Sequence, residues 1–270
     1  MRRVLVLATL ALCALAQPPA RPLRFVLMGD RTGEAQPGVW EQVWKEVAAA
    51  KPSFVVCAGD LIQGLNDATA ESEWREEQRT VPRAIPFYPA PGNHDVWSEL
   101  SARLFAQYTH HPLHYSFDRG PAHFTVLDTS RSDQLPADEF AFLESDLQEH
   151  AAQPVKFIVS HRPFWLLEAL FHNTRSPVQE LAKKYGVRYI VAGHIHQLAH
   201  VDVDGVTYVS LPSAGGHLRA SEKYADGWLF GYTLVTVNGG EAAFEVHELG
   251  APHGQGRTSV LSEWGVNGRK

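Results

Sequence analysis

The stretch Gly92-Asn93-His94-Asp95 decides the interpretation of this chain, and it follows a short apolar run from Ile85 to Pro91. Asn93 offers a neutral amide oxygen that suits a metal cation, while His94 is free to carry a proton. Glycine, asparagine and aspartate are also favoured in turns, so the four residues alone are equally consistent with a simple chain reversal. The rest of the chain decides between these two interpretations.

Four other apolar segments end in the same way, each followed closely by a side chain that can bind a metal. The candidate ligands at the five segment ends are Asp30, Asp60, Asn93, His161, and His194 with His196. Short apolar runs bounded by turn residues indicate buried strands, and ligands in open α/β sheets gather at the carboxyl ends of strands. Each pair has an ordinary structural explanation by itself, but their coincidence in one chain favours one shared crevice.

These residue types predict a centre of two divalent metal ions. Two such ions about 3.5–4 Å apart can clamp a phosphoryl group and lower the pKa of a bridging water, so that a metal-bridging hydroxide can act as nucleophile. Two carboxylates and this hydroxide leave about one net positive charge, which attracts a phosphate anion. Imidazole ligands favour manganese, iron, cobalt, nickel or zinc over magnesium or calcium, and we expect Mn, Fe or Zn.

The ordered motifs resemble those of the calcineurin-like metallophosphoesterase family. They are Gly29-Asp30, Gly59-Asp60, Gly92-Asn93-His94-Asp95, Ser160-His161 and Gly193-His194-Ile195-His196. The resemblance extends from Arg24 to about Leu211, and the motifs are specific when they occur together in this order. It implies an α/β fold, a four-layer α/β/β/α sandwich of two mixed β-sheets flanked by helices, with the metal centre between the loops.

The resemblance also implies a role for each site residue. One metal is expected on Asp30, Asp60 and His196, and the other on Asp60, Asn93, His161 and His194, so that Asp60 bridges the two. His94 is expected to be the general acid that gives a proton to the leaving oxygen, oriented by Asp95.

Two positions depart from the family pattern. Many members have a histidine two residues after the first aspartate, where this chain has Thr32. The purple acid phosphatase branch has a tyrosine three residues after the second aspartate, where this chain has Gln63, so a tyrosinate-bound ferric centre is not expected. The first metal therefore lacks one ligand unless water, Thr32 or Gln63 completes the site.

Three further residues are candidates for binding the substrate. Arg31 and Arg162 each adjoin a candidate ligand and could hold a phosphate through a bidentate contact, although surface salt bridges are an equally good explanation. His217 follows a glycine-rich loop that could face the same crevice, but it is one of 14 histidines.

Composition limits the class of protein and the kind of partner. The chain has 270 residues, 44% of them hydrophobic, which suits one large globular domain. Its formal net charge is −6 and it has no basic block of the kind that follows a nucleic-acid backbone. We therefore expect no stable nucleic-acid partner, whereas a small phosphorylated substrate remains compatible with the charge.

The N-terminal residues predict a signal peptide. Arg2 and Arg3 precede an apolar run of about 13 residues, and cleavage is expected after Ala16 because Ala14 and Ala16 are small. The run is shorter than the roughly 20 residues that span a bilayer, so we expect no membrane span. A retained anchor and lipidation of Cys13 are alternatives. The mature chain would have 22 basic against 30 acidic residues, and would be secreted or periplasmic.

Hydrophobic periodicity and turn signals predict the remaining organisation. Helices are expected from Val39 to Ala48, Asn66 to Val81, Ser98 to Tyr108, Pro136 to His150 and Pro177 to Tyr185. The second of these is interpreted as a surface helix, with Trp74 among charges. Cys57 is expected to be a small buried hydrophobe. The domain should cover residues 21–250, and residues 251–270 should be a weakly held tail or a surface strap.

The leading functional hypothesis is an exported, dinuclear-metal-dependent phosphoric ester hydrolase, acting as a phosphomonoesterase or a phosphodiesterase. The alternative is a non-catalytic metal- or phosphate-binding protein of the same fold, which the missing ligand at Thr32 favours. His94 weighs against that alternative, because a protein that only binds has no need of a proton donor.

Overall fold

A computed structural model describes residues 22–270, so the predicted signal peptide and Cys13 lie outside the described residues. Six α-helices occur in this range: α1 (Val39–Ala50), α2 (Asp67–Thr80), α3 (Glu99–Thr109), α4 (Ala137–Glu149), α5 (Leu166–Leu170) and α6 (Pro177–Tyr185). The first seven strands are β1 (Leu23–Met28), β2 (Val55–Cys57), β3 (Phe87–Pro89), β4 (Tyr115–Arg119), β5 (Ala122–Val126), β6 (Val155–Ser160) and β7 (Tyr189–Ala192). The others are β8 (Ala199–Val203), β9 (Val206–Ser210), β10 (Gly231–Asn238), β11 (Glu241–Glu248), β12 (Thr258–Val260), β13 (Trp264–Gly265) and β14 (Gly268–Arg269).

The strands form two six-stranded mixed sheets and one two-stranded ribbon. The first sheet has the order β12-β11-β10-β1-β2-β3, in which β1, β2 and β3 are parallel. The second has the order β4-β5-β6-β7-β9-β8, in which β5, β6, β7 and β9 are parallel. Parallel neighbours end at the same edge of a sheet, so each sheet brings several loops together at one edge.

Successive side chains of a strand point to opposite faces of its sheet, so each sheet contributes to two apolar layers. Phe25 and Leu27 of β1 pack with β5 and β6 residues between the two sheets, where Phe25 meets Phe124 and Phe157 edge-on. Val26, on the other face of β1, packs with helices α1, α2 and α3. A third apolar cluster lies between the second sheet and helices α4, α5 and α6. These three interlayer cores confirm the predicted four-layer α/β/β/α sandwich.

Helix α2 is more deeply engaged than its charged sequence indicates. Trp74 is fully buried, stacks on Tyr108 at 5.9 Å between ring centroids, and meets Phe105 of α3 edge-on. The interpretation of α2 as a surface helix holds for its charged side, but Trp74 belongs to the core. The apolar partners on α3 are about 30 residues away in sequence, beyond the reach of a local pattern.

The C-terminal residues are part of the sandwich, which corrects the expectation of a weakly held tail. Strand β12 pairs with β11 at the edge of the first sheet. Trp264 is fully buried in the core between the sheets, where it meets Tyr224 edge-on and its indole N–H donates to the Ser259 hydroxyl at 2.9 Å. Burial of one tryptophan side chain holds this segment against the fold.

One further prediction, the burial of Cys57, has an outcome within the described residues. Cys57 is buried as expected, and burial raises the pKa of its thiol well above the usual value. The five-residue helix α5 was not predicted, because so short an element shows no clear periodicity. No helix within residues 22–270 is both long and apolar enough to cross a lipid bilayer.

Candidate metal centre

The candidate ligands follow the carboxyl ends of β1, β2 and β3 in one sheet and of β6 and β7 in the other. Two hydrogen bonds join these loops across the sandwich. The backbone N–H of His194 donates to Asp30 Oδ1 at 2.9 Å, and His161 Nδ1 lies 2.8 Å from the Ala58 carbonyl oxygen. The sheets therefore bring all the predicted ligands to one crevice, as the strand ends indicated.

Three candidate ligand atoms lie close to a fourth, the Nε2 atom of His161. His161 Nε2 lies 3.0 Å from Asn93 Oδ1, 3.1 Å from His194 Nδ1 and 3.3 Å from Asp60 Oδ2. His161 and Asp60 are fully buried, and His194 is partly buried. An amide oxygen, a carboxylate oxygen and two imidazole nitrogens this close together form a donor set that suits a divalent transition metal.

A second group of ligand atoms lies beside the first. His196 Nε2 is 3.2 Å from Asp30 Oδ2, and both side chains are fully buried. The other ring nitrogen of His196, Nδ1, donates to the His217 carbonyl at 2.7 Å. His161 has the same arrangement with Ala58, so in both rings a main-chain acceptor holds Nδ1–H and leaves Nε2 facing the carboxylates.

The buried Asp60 carboxylate tests whether these residues fit metal ions. The nearest polar neighbour of Asp60 Oδ2 is His161 Nε2 at 3.3 Å, and this completely buried oxygen accepts no well-formed hydrogen bond from the described residues. An unsatisfied buried carboxylate oxygen is costly unless a cation or a proton compensates it. Oδ1 of the same residue accepts from the His94 backbone N–H at 2.9 Å, which fixes the plane of the carboxylate. The residues therefore fit a pair of divalent ions that share Asp60.

Charges in the crevice perturb one another strongly. Burial by itself raises the pKa of Asp60, but the facing His161 imidazole outweighs burial and lowers that pKa well below its ordinary value. Burial likewise lowers the pKa of His161, and the Asp60 carboxylate more than reverses this effect, so that the pKa is raised. Burial, aided by the charge of His161, lowers the pKa of His194 to about 4. These opposed shifts show a carboxylate and imidazoles held together away from water.

The glycines of the motifs allow the loops to approach one another. A Cβ at Gly92 would overlap Asp60 Oδ1, and a Cβ at Gly193 would overlap Asp30 Oδ1. Asp60, His194 and His196 themselves have φ values of 55°, 67° and 66°, in the left-handed region that non-glycine residues seldom adopt. Such conformations persist only where the surrounding structure determines them, and they cluster at functional sites.

His94 is half-buried beside the crevice, and the structure corrects its expected partner. His94 Nδ1 lies 2.5 Å from the Gln63 carbonyl oxygen, and among the described residues Asp95 makes no hydrogen bond to it. The Asp95 carboxylate instead accepts from the backbone N–H groups of Leu61, Ile62 and Gly92 at 2.7–3.2 Å. Asp95 thus holds two ligand loops together, because three amides already use its oxygens.

Arg31, a candidate for substrate binding from the sequence, contacts other parts of the protein instead. Its guanidinium donates to the Leu61 carbonyl at 2.7 Å and lies 3.6 Å from the Glu76 carboxylate of α2. Only 14% of the side chain is exposed, and it does not line either of the cavities beside the ligands. Arg31 therefore joins the first ligand loop to helix α2, which is the structural explanation weighed for it from the sequence.

Arg162 and His217 line two different cavities beside the ligand cluster. Arg162 pairs with Asp133 and lines a cavity of about 670 Å³ together with His194. His217 lines a second cavity, of about 440 Å³, together with His94 and Arg219. Arg219 was not identified from the sequence, although its Nη2 lies 3.4 Å from His196 Nε2; its position two residues after His217 was the available signal.

Thr32 and Gln63, the two departures from the family pattern, contact each other. The Thr32 hydroxyl donates to Gln63 Oε1 at 2.6 Å, and the backbone N–H of Glu34 donates to the same oxygen at 3.2 Å. Thr32 is fully buried close to the Asp30 and His196 ligand pair. Thr32 and Gln63 therefore occupy the positions where a further metal ligand was considered. A metal ion on Asp30 and His196 would have one imidazole fewer than it would with a histidine at position 32.

A comparison with known protein families matches the part of the chain that contains the candidate ligands. A model of the family described as calcineurin-like phosphoesterase matches residues 23–198, about two thirds of the chain. The chain belongs to the calcineurin-like phosphoesterase family. All six candidate ligands lie inside the matched range, which ends two residues after His196.

Curated relatives of this calcineurin-like phosphoesterase include phosphatases. Serine/threonine-protein phosphatase CPPED1 of Homo sapiens is 30% identical over 190 residues, which cover 60% of this chain and 57% of that protein. Tartrate-resistant acid phosphatase type 5 of Homo sapiens is 26% identical over 296 residues, with 90% of each chain covered. The chain thus spans little more than half the length of CPPED1. Both of these relatives are named as phosphatases.

Solved structures confirm the architecture. The purple acid phosphatase PPD1 from yellow lupin (Lupinus luteus) superposes with a TM-score of 0.65 over 92% of this chain and 56% of that chain, at 18% identity. At this identity the likeness establishes the fold alone. This chain thus shares the fold of a purple acid phosphatase, and its residue at position 63 is a glutamine.

Proposed function

We propose that this calcineurin-like phosphoesterase is an exported hydrolase of phosphoric esters, acting as a phosphomonoesterase or phosphodiesterase on a small phosphorylated substrate. The convergence of Asp60, Asn93, His161 and His194 on one point carries this proposal, because these atoms lie within 3.3 Å of the His161 ring nitrogen. Two carboxylates, an amide and three imidazoles at five strand ends leave little room for a purely structural explanation.

The ligands divide into two sets. Asp30, Asp60 and His196 would hold one divalent ion, and Asp60, Asn93, His161 and His194 would hold the other, with manganese, iron or zinc as the preferred metals. Ions bound there would polarise a phosphoryl oxygen and lower the pKa of a coordinated water. The main-chain acceptors behind His161 and His196 would fix these rings in the tautomer that binds metal.

His94 would act as the general acid. With Nδ1–H held by the Gln63 carbonyl, the protonated ring would present Nε2–H to the leaving oxygen of an ester bound at the metal ligands. Arg162 and His217 would contact the phosphoryl oxygens from the two cavities that they line, and Arg219 beside His196 is a further candidate. Bidentate contact from a guanidinium suits this role.

Ester hydrolysis is the direct test of this function. With added Mn²⁺, the protein should hydrolyse nitrophenyl phosphate, its bis-ester or both, and removal of metal by a chelator should abolish turnover reversibly. The ratio of kcat/KM between the two compounds distinguishes monoesterase from diesterase. Absence of turnover with either ester and any of Mn²⁺, Fe²⁺ or Zn²⁺ would instead support a non-catalytic metal- or phosphate-binding protein, which the Thr32 and Gln63 pair favours.

Replacement of Thr32 by histidine should strengthen one metal site. An added imidazole beside Asp30 and His196 should tighten the weaker ion on the order of tenfold or more, while the other ion keeps its four ligands and changes little. Calorimetric titration of metal-free wild type and Thr32→His should show two events, of which one shifts. If the wild type binds both ions equally tightly and the variant changes neither, an unassigned ligand completes the site; Gln63→Ala would identify it.

Export is proposed from the N-terminal residues alone. Exported protein should begin at Gln17, because Ala14 and Ala16 are the small residues that signal cleavage requires. Mass spectrometry of protein recovered from outside the cytoplasm measures this directly. An intact Met1, or a lipid-modified Cys13, would contradict a freely secreted or periplasmic protein.

A further inference from the structure

The cavity of about 670 Å³ beside His194 has walls that are mostly apolar. Side chains from four separate segments line it, among them Leu135, Phe140, Phe164, Leu167, Val178 and Ile195. Its volume lies within the range typical of small-molecule pockets, roughly 300–1,000 Å³. A phosphoryl group alone would neither fill such a space nor gain from apolar walls.

The cavity borders the candidate metal centre at one of the six candidate ligands, His194. His194 and Arg162 line one end of it, and Ile195 stands between the ligands His194 and His196. A molecule whose phosphate lies on the metal ligands can therefore extend its organic part directly into the cavity. The polar rim carries the carboxylates of Asp133 and Glu168, of which Asp133 pairs with Arg162. This rim disfavours a second anionic group on the substrate.

Helix α5 adds an exposed apolar surface at the same place. Within residues 22–270 five large apolar side chains are exposed, and three of them belong to α5 or directly follow it: Leu167, Leu170 and Phe171, with 66%, 37% and 79% exposure. Leu167 also lines the cavity. Isolated exposed leucines need no explanation, but several exposed apolar side chains at one short helix, of which Leu167 also forms part of the cavity wall, are typical of a binding surface.

We propose that this cavity binds a neutral, apolar aryl or alkyl group of the phosphate ester, so that the enzyme prefers esters of hydrophobic alcohols over those of polar ones. The inference rests on the proposed phosphoesterase function and specifies its substrate class. Each methylene that enters the cavity should raise kcat/KM by about three- to fourfold, because its transfer from water is favourable. Leu167 would be a specificity-determining residue that contacts this group.

A series of 4-alkylphenyl phosphates tests the inference. The alkyl chain lengthens from none to butyl while the leaving phenol changes little in acidity, so changes in kcat/KM report binding of the chain. Wild-type enzyme with Mn²⁺ should show a rise along the series. Leu167→Glu should reduce kcat/KM for butylphenyl phosphate more than for phenyl phosphate and flatten the series. The matched control Val260→Glu changes an apolar side chain that is 48% exposed on β12, and should keep the wild-type slope.

The outcomes separate this inference from the function on which it rests. Failure of the wild type to hydrolyse phenyl phosphate would overturn the proposed function. Hydrolysis of phenyl phosphate with no rise along the series would overturn the apolar subsite alone. An equal loss on both esters in Leu167→Glu, in protein that melts like the wild type, would also overturn it, since a general effect on catalysis is not one on the alkyl chain.

Discussion

His94→Ala is expected to lower kcat by about 10²–10⁴-fold while both metal ions remain bound. The structure separates the two roles of this residue. Its backbone N–H donates to Asp60 Oδ1, which the substitution preserves, whereas its imidazole faces the cavity shared with His217 and Arg219. Loss of the ring therefore removes a proton donor and leaves the ligand set intact. Steady-state kinetics on phenyl phosphate, whose leaving oxygen needs a proton more than that of nitrophenol does, and metal analysis of the same preparation measure both effects.

His110→Asn is a suitable control for this experiment. His110 is exposed at the end of α3 with a φ of 60°, a conformation that asparagine tolerates. The substitution should therefore leave kcat unchanged. Esters with better leaving groups should suffer less from His94→Ala, because their oxygen needs less protonation. Loss of metal from His94→Ala, or equal loss of rate for every leaving group, would show that His94 is not the general acid.

The convergence of the candidate ligands was predictable because its signal is local. Each ligand directly follows an apolar run, and parallel strands with a common edge then bring the run ends together. Gly92 and Gly193 were recognised in the sequence as parts of the motifs, but the sequence did not show why glycine is needed at these positions. They give space to the carboxylates of Asp60 and Asp30, which come from distant parts of the chain.

Partners that are main-chain atoms could not be predicted. The carbonyl groups of Ala58, Gln63 and His217 hold the rings of His161, His94 and His196, and a carbonyl group is present at every position of any sequence. The error over Asp95 has the same origin, since backbone N–H groups from another loop occupy its oxygens.

Apolar residues in polar surroundings were also misjudged, for a related reason. Trp74 and Trp264 lie in charged or glycine-rich stretches, and both are fully buried against residues far away in the sequence. A single large side chain that fills a gap in the core produces no periodicity. Arg31 is a similar case, because only the packing of α2 on the first loop provides Leu61 and Glu76 as its partners.

Asp60→Asn is expected to have the largest effect of all the substitutions. The Asp60 carboxylate is the one group assigned to both ions, and its Oδ2 is buried beside His161 without a hydrogen bond from the described residues. An amide in its place removes the negative charge that two cations would share, so both should bind more weakly. Metals contribute several kcal/mol of transition-state stabilisation, and activity should fall on the order of 10³-fold or more.

The near-equal size of asparagine makes the experiment clean. The amide can keep an acceptor for the His94 backbone N–H, so the loop should hold its position and circular dichroism should be unchanged. Asp118→Asn is the matched control, because Asp118 also faces a buried histidine, His123 at 2.8 Å, but on β4 and β5 away from the ligand loops. It should retain two metals and full activity. If Asp60→Asn also kept two tightly bound metals, the carboxylate would not bridge them, and the division of ligands around His161 and His196 would need to be redrawn.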